Sequence, residues 1–319
     1  MLPVLALAAA LAADTAAAVP AATAAPATIA AVAAAPPRLS GYVQVRSVYQ
    51  THAGITNSLN RARLGADGAL PQHVSYRVLV EYESAVSGAA ATVALRDAYM
   101  KWTHGPLAVT AGQFKTPFSR DYVTSLTVIE TADRPSVVDS LAPKRDIGAM
   151  LQYDHPWASA YVGLFNGEGQ NVGTNRDSVN LLVSRVLAHP LPGVDLGASG
   201  AWNGRRTQRY GLEASAEWRG ATLRGEWIGQ RRPGAKPDDQ GWFALAAYRV
   251  LPWLQPKLQQ EDFLRPALGA RRRMGATTAG VNLDLPGGRN RIILEYVGRR
   301  TGSPFVTRDQ ALAQWQVRF

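Results

Sequence analysis

Gln310 to Phe319 reads QALAQWQVRF, in which Ala311, Ala313, Trp315, Val317 and Phe319 alternate with Leu312, Gln314, Gln316 and Arg318. A period of two belongs to a β-strand with one greasy and one polar face. Such a strand either closes a soluble sandwich, greasy side to the core, or borders a membrane, greasy side to lipid. Periodicity alone does not choose between them. The decision rests on whether the rest of the chain repeats the pattern, and how often.

It repeats throughout. Within residues 73–83, Val74, Tyr76, Val78, Val80 and Tyr82 alternate with Ser75, Arg77, Leu79, Glu81 and Glu83. Within 209–218, Tyr210, Leu212, Ala214, Ala216 and Trp218 alternate with Arg209, Gly211, Glu213, Ser215 and Glu217. A strand crossing a ~25 Å apolar band at ~40° tilt needs roughly 10 residues. From Gly41 onward the chain cuts into sixteen such pieces, among them 59–68, 177–188, 254–264, 273–284 and 308–319. Shifted boundaries would also admit fourteen or eighteen. The connectors alternate between tight ones, such as His104-Gly105 and His155-Pro156, and longer ones, such as 51–58 and 167–176. The strand number, the Trp and Tyr residues near strand ends (Trp102, Tyr153, Trp157, Trp218, Trp253) and the terminal Phe319 favour an all-β, transmembrane antiparallel barrel of the outer membrane. An even number of strands puts both termini on the periplasmic side.

Composition agrees. No stretch of the body reaches the ~18 continuous apolar residues of a membrane helix, so a spanning protein must be a closed barrel. The 319 residues contain no cysteine and carry a net charge of +10. Residues 1–37 contribute only Asp14, so the positive excess belongs to the remainder, where arginine dominates. These cations recur within alternating segments, as in Asn60 to Leu64 (NRARL), which fits a basic lining better than a patch for nucleic acid. Residues 1–37 read as an export leader, MLPVLALAAALAA, and an Ala/Pro-rich spacer, with 38–319 as the barrel. No basic residue precedes Leu2, which puts the true start upstream of Met1 or makes the segment a low-complexity tail.

Val109 to Ser119 (VTAGQFKTPFS), Lys144 to Gly148 (KRDIG), Gly163 to Gly167 (GLFNG), the strand carrying Arg185, Arg61 to Gly65 (RARLG) and Leu95 to Tyr99 (LRDAY) resemble the phosphate-selective porin O and P family, from about Gly41 to Phe319. The resemblance implies a sixteen-stranded homotrimeric barrel that passes small anions, in some members phosphate or polyphosphate. Outer-membrane lipid, lipopolysaccharide and the barrel-assembly machinery, with Phe319 as assembly signal, are the partners expected of such a barrel. Nucleic acid, cofactors and metals are not expected. The chain departs from the family in its short outer loops and few lysines, so lysine-lined phosphate sites do not carry over to it.

The longest connector, Lys115 to Pro143, has 29 residues and is expected to fold inward as the third outer loop and narrow the channel. Candidate anion contacts are Lys115 and Arg120 on that loop and Arg61, Arg63, Arg77, Lys101, Arg209, Arg224 and Arg291 on the wall. Arginine suits oxyanions through its planar paired donors. The competing reading is that each forms a structural salt bridge to Glu81, Glu83, Glu213, Glu217, Glu226 or Glu295 on the same faces. Gly167 to Gly173 (GEGQNVG) lacks the spacing of a nucleotide loop. His104, His155 and His189 are expected in turns at the rim, so no histidine is expected beside a serine. An anion-preferring porin is therefore the leading reading. A structural or adhesive barrel with a plugged lumen and a barrel phospholipase are the alternatives.

Overall fold

The computed structural model describes residues 36–51, 53–83, 91–204, 207–231, 238–267, 270–302 and 306–319. The expected leader and spacer lie outside the described residues, apart from residues 36 and 37. The first half of the barrel comprises β1 (Arg38–Gln50), β2 (Gly54–Leu70), β3 (Val74–Glu83), β4 (Thr92–His104), β5 (Leu107–Lys115), β6 (Arg145–His155), β7 (Ala158–Phe165) and β8 (Leu181–Leu191). The second half comprises β9 (Val194–Asn203), β10 (Thr207–Trp218), β11 (Ala221–Arg231), β12 (Asp239–Tyr248), β13 (Leu254–Ala267), β14 (Ala270–Asp284), β15 (Asn290–Thr301) and β16 (Val306–Arg318). Each strand pairs antiparallel with its sequence neighbours, and β1 pairs with β16 to close the barrel. Two short helices, α1 (Arg120–Val123) and α2 (Ser136–Leu141), lie in the connector between β5 and β6.

Polarity is distributed inside out. On β16, Trp315 is 51% exposed while Gln314 and Gln316 are 1% exposed. On β10, Glu213 and Ser215 are buried and Leu212 and Trp218 exposed. A buried amide is tolerated only when hydrogen-bonded. Gln44 donates to Gln316 Oε1 at 2.7 Å, and Arg46 Nε donates to Gln314 Oε1 at 2.9 Å. The exposed greasy face is the surface that lipid covers, and closure leaves no strand edge unpaired within it. Trp102, Tyr153, Trp157, Trp218 and Trp253 are exposed beside the short turns, and Tyr49, Tyr82, Trp202, Tyr210 and Trp242 near the opposite strand ends. The two belts mark two interfaces.

Phe319 completes the seam. Its N–H donates to the Gly41 carbonyl and its own carbonyl accepts from the Gly41 N–H, both at 3.0 Å. A Cβ at Gly41 would stand 2.6 Å from the Phe319 ring, so glycine leaves the slot that the terminal aromatic fills.

Some boundaries differ from the sequence reading. β2 starts at Gly54 rather than residue 59, and β13 and β14 run on to Ala267 and from Ala270, because ladder pairing continues past the alternating cores. β8 starts at Leu181 rather than 177. Asn175 and Asp177 hold the preceding backbone in turns, accepting from the N–H groups of Asp177 (3.3 Å) and Val179 (3.0 Å). β8 also continues to Leu191, which takes His189 out of the expected turn.

Candidate functional site

Residues 116–144 fold into the barrel, as the length of the connector suggested. Phe118, Tyr122, Val137, Val138 and Leu141 of this loop form one apolar cluster with wall residues Phe165, Val183, Ile228, Phe243 and Phe263. Burying each such side chain contributes about 1.5–3 kcal/mol, against a net of about 1 kcal/mol for a typical hydrogen bond. Packing therefore holds the loop, and polar contacts fix its register. Four wall glutamates accept from loop backbone N–H groups: Glu213 from Arg120 (2.9 Å), Glu226 from Asp121 (2.6 Å), Glu295 from Ala132 (2.8 Å) and Glu261 from Ser136 (2.6 Å). The first turns of α1 and α2 have unpaired N–H groups and a partial positive charge, which carboxylates satisfy. The glutamates that threatened to cancel a basic lining are thus in large part anchors for the loop.

Beneath the loop, toward the seam and the short turns, lies a cavity of about 570 Å³. Arg63, Arg77, Lys101, Lys115, Arg145 and Arg318 line it, and Asp97 supplies the one carboxylate side chain among its lining residues. Four of the nine sequence candidates meet here: Arg63, Arg77, Lys101 and Lys115. Arg63 donates to Glu81 at 3.0 Å, and Arg77 to Asp67 at 2.6 Å. Lys115 Nζ donates to the carbonyls of Val123 (3.0 Å) and Thr124 (2.9 Å), supporting the loop from below. Lys101 Nζ donates to the neutral Gln152 Oε1 at 3.0 Å.

The other five candidates lie outside this cavity. Arg61 contacts Gln44, Glu81 and Asp133, at 3.3, 3.8 and 3.5 Å. Arg120 reaches Ser215 (3.2 Å) and Glu217 (3.6 Å). Arg209 donates to Gln230 at 2.8 Å, and Arg291 grips Asp284 with two nitrogens, at 2.6 and 3.1 Å. Arg224 is buried against Asp121 and Glu130 of the loop. Arg61, Arg63 and Arg120 form ion pairs with glutamates of the expected set, and Arg77, Arg224 and Arg291 form ion pairs with carboxylates outside it.

On the other side of the loop is a second cavity of about 380 Å³, where Arg46, Arg134 and Arg299 are balanced by Asp133, Glu261 and Glu295. Asp133 ties the loop to the wall, accepting from Arg46 at 2.7 and 3.0 Å and from Arg61 at 3.5 Å. Burial opposes ionisation of Asp133, but the hydrogen bonds and charges of Arg46 and Arg61 outweigh it and hold the carboxyl below its ordinary value.

Several cations of the lumen escaped the sequence reading. Bulges explain two features of it. Between β1 and β2, Gln44 pairs with Arg61 and Val45 with Leu59, so Asn60 is the extra residue. Between β3 and β4, Leu79 pairs with Asp97 and Val80 with Leu95, leaving Arg96 extra. Each bulge turns two consecutive polar residues inward. Arg96 thereby reaches Glu81 and donates to Gln170 at 2.9 Å. Arg145 pairs with Asp97 at 2.7 Å, both nearly buried, Arg185 with Glu213, and Lys257 with Glu295 at 2.6 Å. Arg145 lies in KRDIG, which was the available signal. The loop 166–180, which carries the GEGQNVG run, also tucks inward: Asn171 N–H donates to Gln113 at 2.6 Å and Gly167 N–H to Asp146 at 2.8 Å.

His189 corrects a further expectation. It lies in β8 with Nδ1 2.7 Å from Asp195 Oδ1 and Nε2 3.2 Å from Ser159 Oγ. Register places Asp154 directly opposite Ser159, and the Ser159 backbone is paired on both sides in the sheet. A negative charge developing near Ser159 would meet a carboxylate instead of free N–H donors.

A closed sixteen-stranded barrel with a greasy exterior, a polar lumen and an inward loop defines an outer-membrane porin. The family pattern described as phosphate-selective porin O and P matches residues 40–225, and the chain belongs to that family. In fold it is similar to an anion-selective porin from Comamonas acidovorans, at 16% identity and TM-score 0.66, covering 89% of this chain and 99% of that one. It is also similar to the outer membrane channel DcaP of Acinetobacter baumannii (13% identity, TM-score 0.65, 89% and 97% covered). A loop L8 deletion mutant of OmpT from Vibrio cholerae matches at 11% identity and TM-score 0.66, with 89% and 99% covered. No curated protein matches the sequence.

Proposed function

We propose that this porin gives passive, anion-preferring diffusion of small solutes across the outer membrane. The supporting observation is the charge of the cavity beneath the loop, where six cationic side chains outnumber the carboxylates of Asp97, Glu81 and Asp67 that they touch. A positive lining lowers the barrier for an anion to enter, and arginine and lysine donors replace part of its hydration shell. The balanced cavity above the loop adds no opposing field. The neighbour from Comamonas acidovorans is an anion-selective porin by its description, which agrees with this reading. Phosphate is one anion such a lining would admit. A homotrimer is the assembly we propose, since an OmpT structure of Vibrio cholerae is a trimer form. Phe319, seated at the seam, is proposed as the signal read by the assembly machinery, and the leader as the export signal. The inward apolar cluster favours a partly plugged lumen. The Asp154 carboxylate opposite Ser159 weighs against a phospholipase.

The test is a planar-bilayer recording of the reversal potential in a KCl gradient. Chloride preference is expected; potassium preference, or the absence of conductance, would overturn the reading.

A further inference from the structure

We infer that the cavity beneath the inward loop is a binding site for an organic anion whose carboxylate is carried on an aromatic or similarly flat apolar body. The inference rests on the porin reading above and goes beyond it by naming a class of solute.

Inorganic anions are small and fully hydrated, and a site made for them needs only charge and hydrogen-bond donors. This cavity offers more. Leu79, Tyr99, Phe114 and Met150 present an apolar wall, and Tyr42 lies close to Arg63, whose guanidinium carbon is 5.5 Å from the Tyr42 ring centroid. Tyr99 and Phe114 meet edge to face with centroids 5.9 Å apart, and Phe114 is covered on another side by Phe165 at 5.3 Å, so half-buried Tyr99 is the ring that keeps surface toward the cavity. Apolar residues inside a porin lumen are unfavourable when faced only by water. Phe114, with Tyr99 and Met150 packed against it, forms the edge of the packed cluster, and that edge borders open volume.

The polar side is equally specific. Tyr42 is 7% exposed, and its Oη is buried without a hydrogen-bond partner. The Arg63 side chain is 9% exposed and its Nε is buried without a partner, while its Nη2 is held by Glu81. Buried donors are paired in most proteins, so two adjacent ones left open at one cavity point to an absent acceptor. Lys101, on the same cavity, is bonded to neutral Gln152 and has no carboxylate partner among the described residues. The Arg63 N–H and the Tyr42 O–H can serve one carboxylate, with Lys101 adding positive charge farther along the cavity and apolar side chains flanking the body of the solute. A volume of about 570 Å³ lies within the roughly 300–1,000 Å³ of small-molecule sites.

The experiment compares block of the chloride current by benzoate, acetate and inorganic phosphate in planar bilayers. Benzoate and acetate share a charge and differ in the apolar body. Benzoate is expected to half-block at a concentration at least about tenfold below that of acetate or phosphate, the factor that 1.4 kcal/mol of additional contact supplies. Tyr42→Phe, which keeps the ring and removes the donor, is expected to raise the half-blocking benzoate concentration severalfold. Folding of the variant is read from its heat-dependent mobility in a denaturing gel. If chloride preference is present but benzoate acts no better than acetate, the inference falls while the porin reading stands. If there is no anion current at all, the porin reading falls. Equilibrium dialysis of labelled benzoate against detergent-solubilised protein then decides the site by itself: saturable binding weakened in Tyr42→Phe supports it, and its absence overturns it.

Discussion

Asp133 shows how one side chain couples the inward loop to the wall. It accepts from Arg46 and Arg61, two cations of neighbouring strands, while the loop backbone beside it is held by Arg46 through the Ala132 carbonyl. Partly exposed pairs contribute about 0–1 kcal/mol, so Asp133→Asn leaves the barrel folded and loosens the loop locally. Single-channel conductance of that variant is expected to rise and fluctuate more than that of the parent. The sign of the pH dependence follows from the depressed carboxyl. A group whose pKa is lowered on folding contributes stability above its unfolded value, about 3.9 for aspartate, and loses it as the pH falls through the folded value. The contribution of this tether to parent conductance should therefore be constant from neutral pH down to about pH 4.5 and change only in stronger acid. In Asp133→Asn the acid change attributable to this tether should be absent. A conductance step in the parent near neutral pH, missing in the variant, would contradict this account of the tether.

At the scale of elements, the question is what keeps a loop of nearly thirty residues inside a lumen. Its apolar side chains pack on Phe165, Ile228, Phe243 and Phe263, and the wall glutamates cap its backbone. Deleting a fully buried aromatic costs about 3–5 kcal/mol, whereas weakening one carboxylate anchor costs roughly 1–3 kcal/mol. Phe118→Ala should accordingly lower the thermal midpoint of the detergent-solubilised protein, or raise its conductance, more than Glu261→Gln does. Equal effects would show that the glutamates carry the loop. The strands themselves were legible, because alternation such as Tyr210-Gly211-Leu212-Glu213 records the two faces of a strand, and the number of strands with their end aromatics tells which face meets lipid. The bulges were not. Asn60-Arg61 and Arg96-Asp97 each place two polar residues together, and a strict period of two sends one of them outward. His189 was misplaced for a related reason: Pro190 and Pro192 read as turn residues, yet β8 continues as far as Leu191.

For the whole molecule, the sequence showed that the cations belong to the lumen but not how they are distributed along it. Arg61, Arg63, Arg77 and Arg291 look alike in alternating segments. All four pair with carboxylates, and only the closed barrel reveals that Arg63 and Arg77 also border the lower cavity while Arg61 and Arg291 lie outside it. Glu213, Glu226, Glu261 and Glu295 likewise could not be assigned from sequence, since their partners are backbone N–H groups of a distant loop. The resulting asymmetry, a positive lower cavity under a balanced upper one, is the basis of the proposed anion preference.

The most direct measurement of that claim is the reversal potential of Lys101→Glu in a KCl gradient, compared with the parent. This substitution changes the side chains lining the lower cavity from six cations and one carboxylate to five cations and two carboxylates. The account predicts that the chloride-to-potassium permeability ratio falls severalfold while the barrel stays folded. An unchanged ratio would contradict it, because the charge of this cavity would then have no part in selecting the permeant ion.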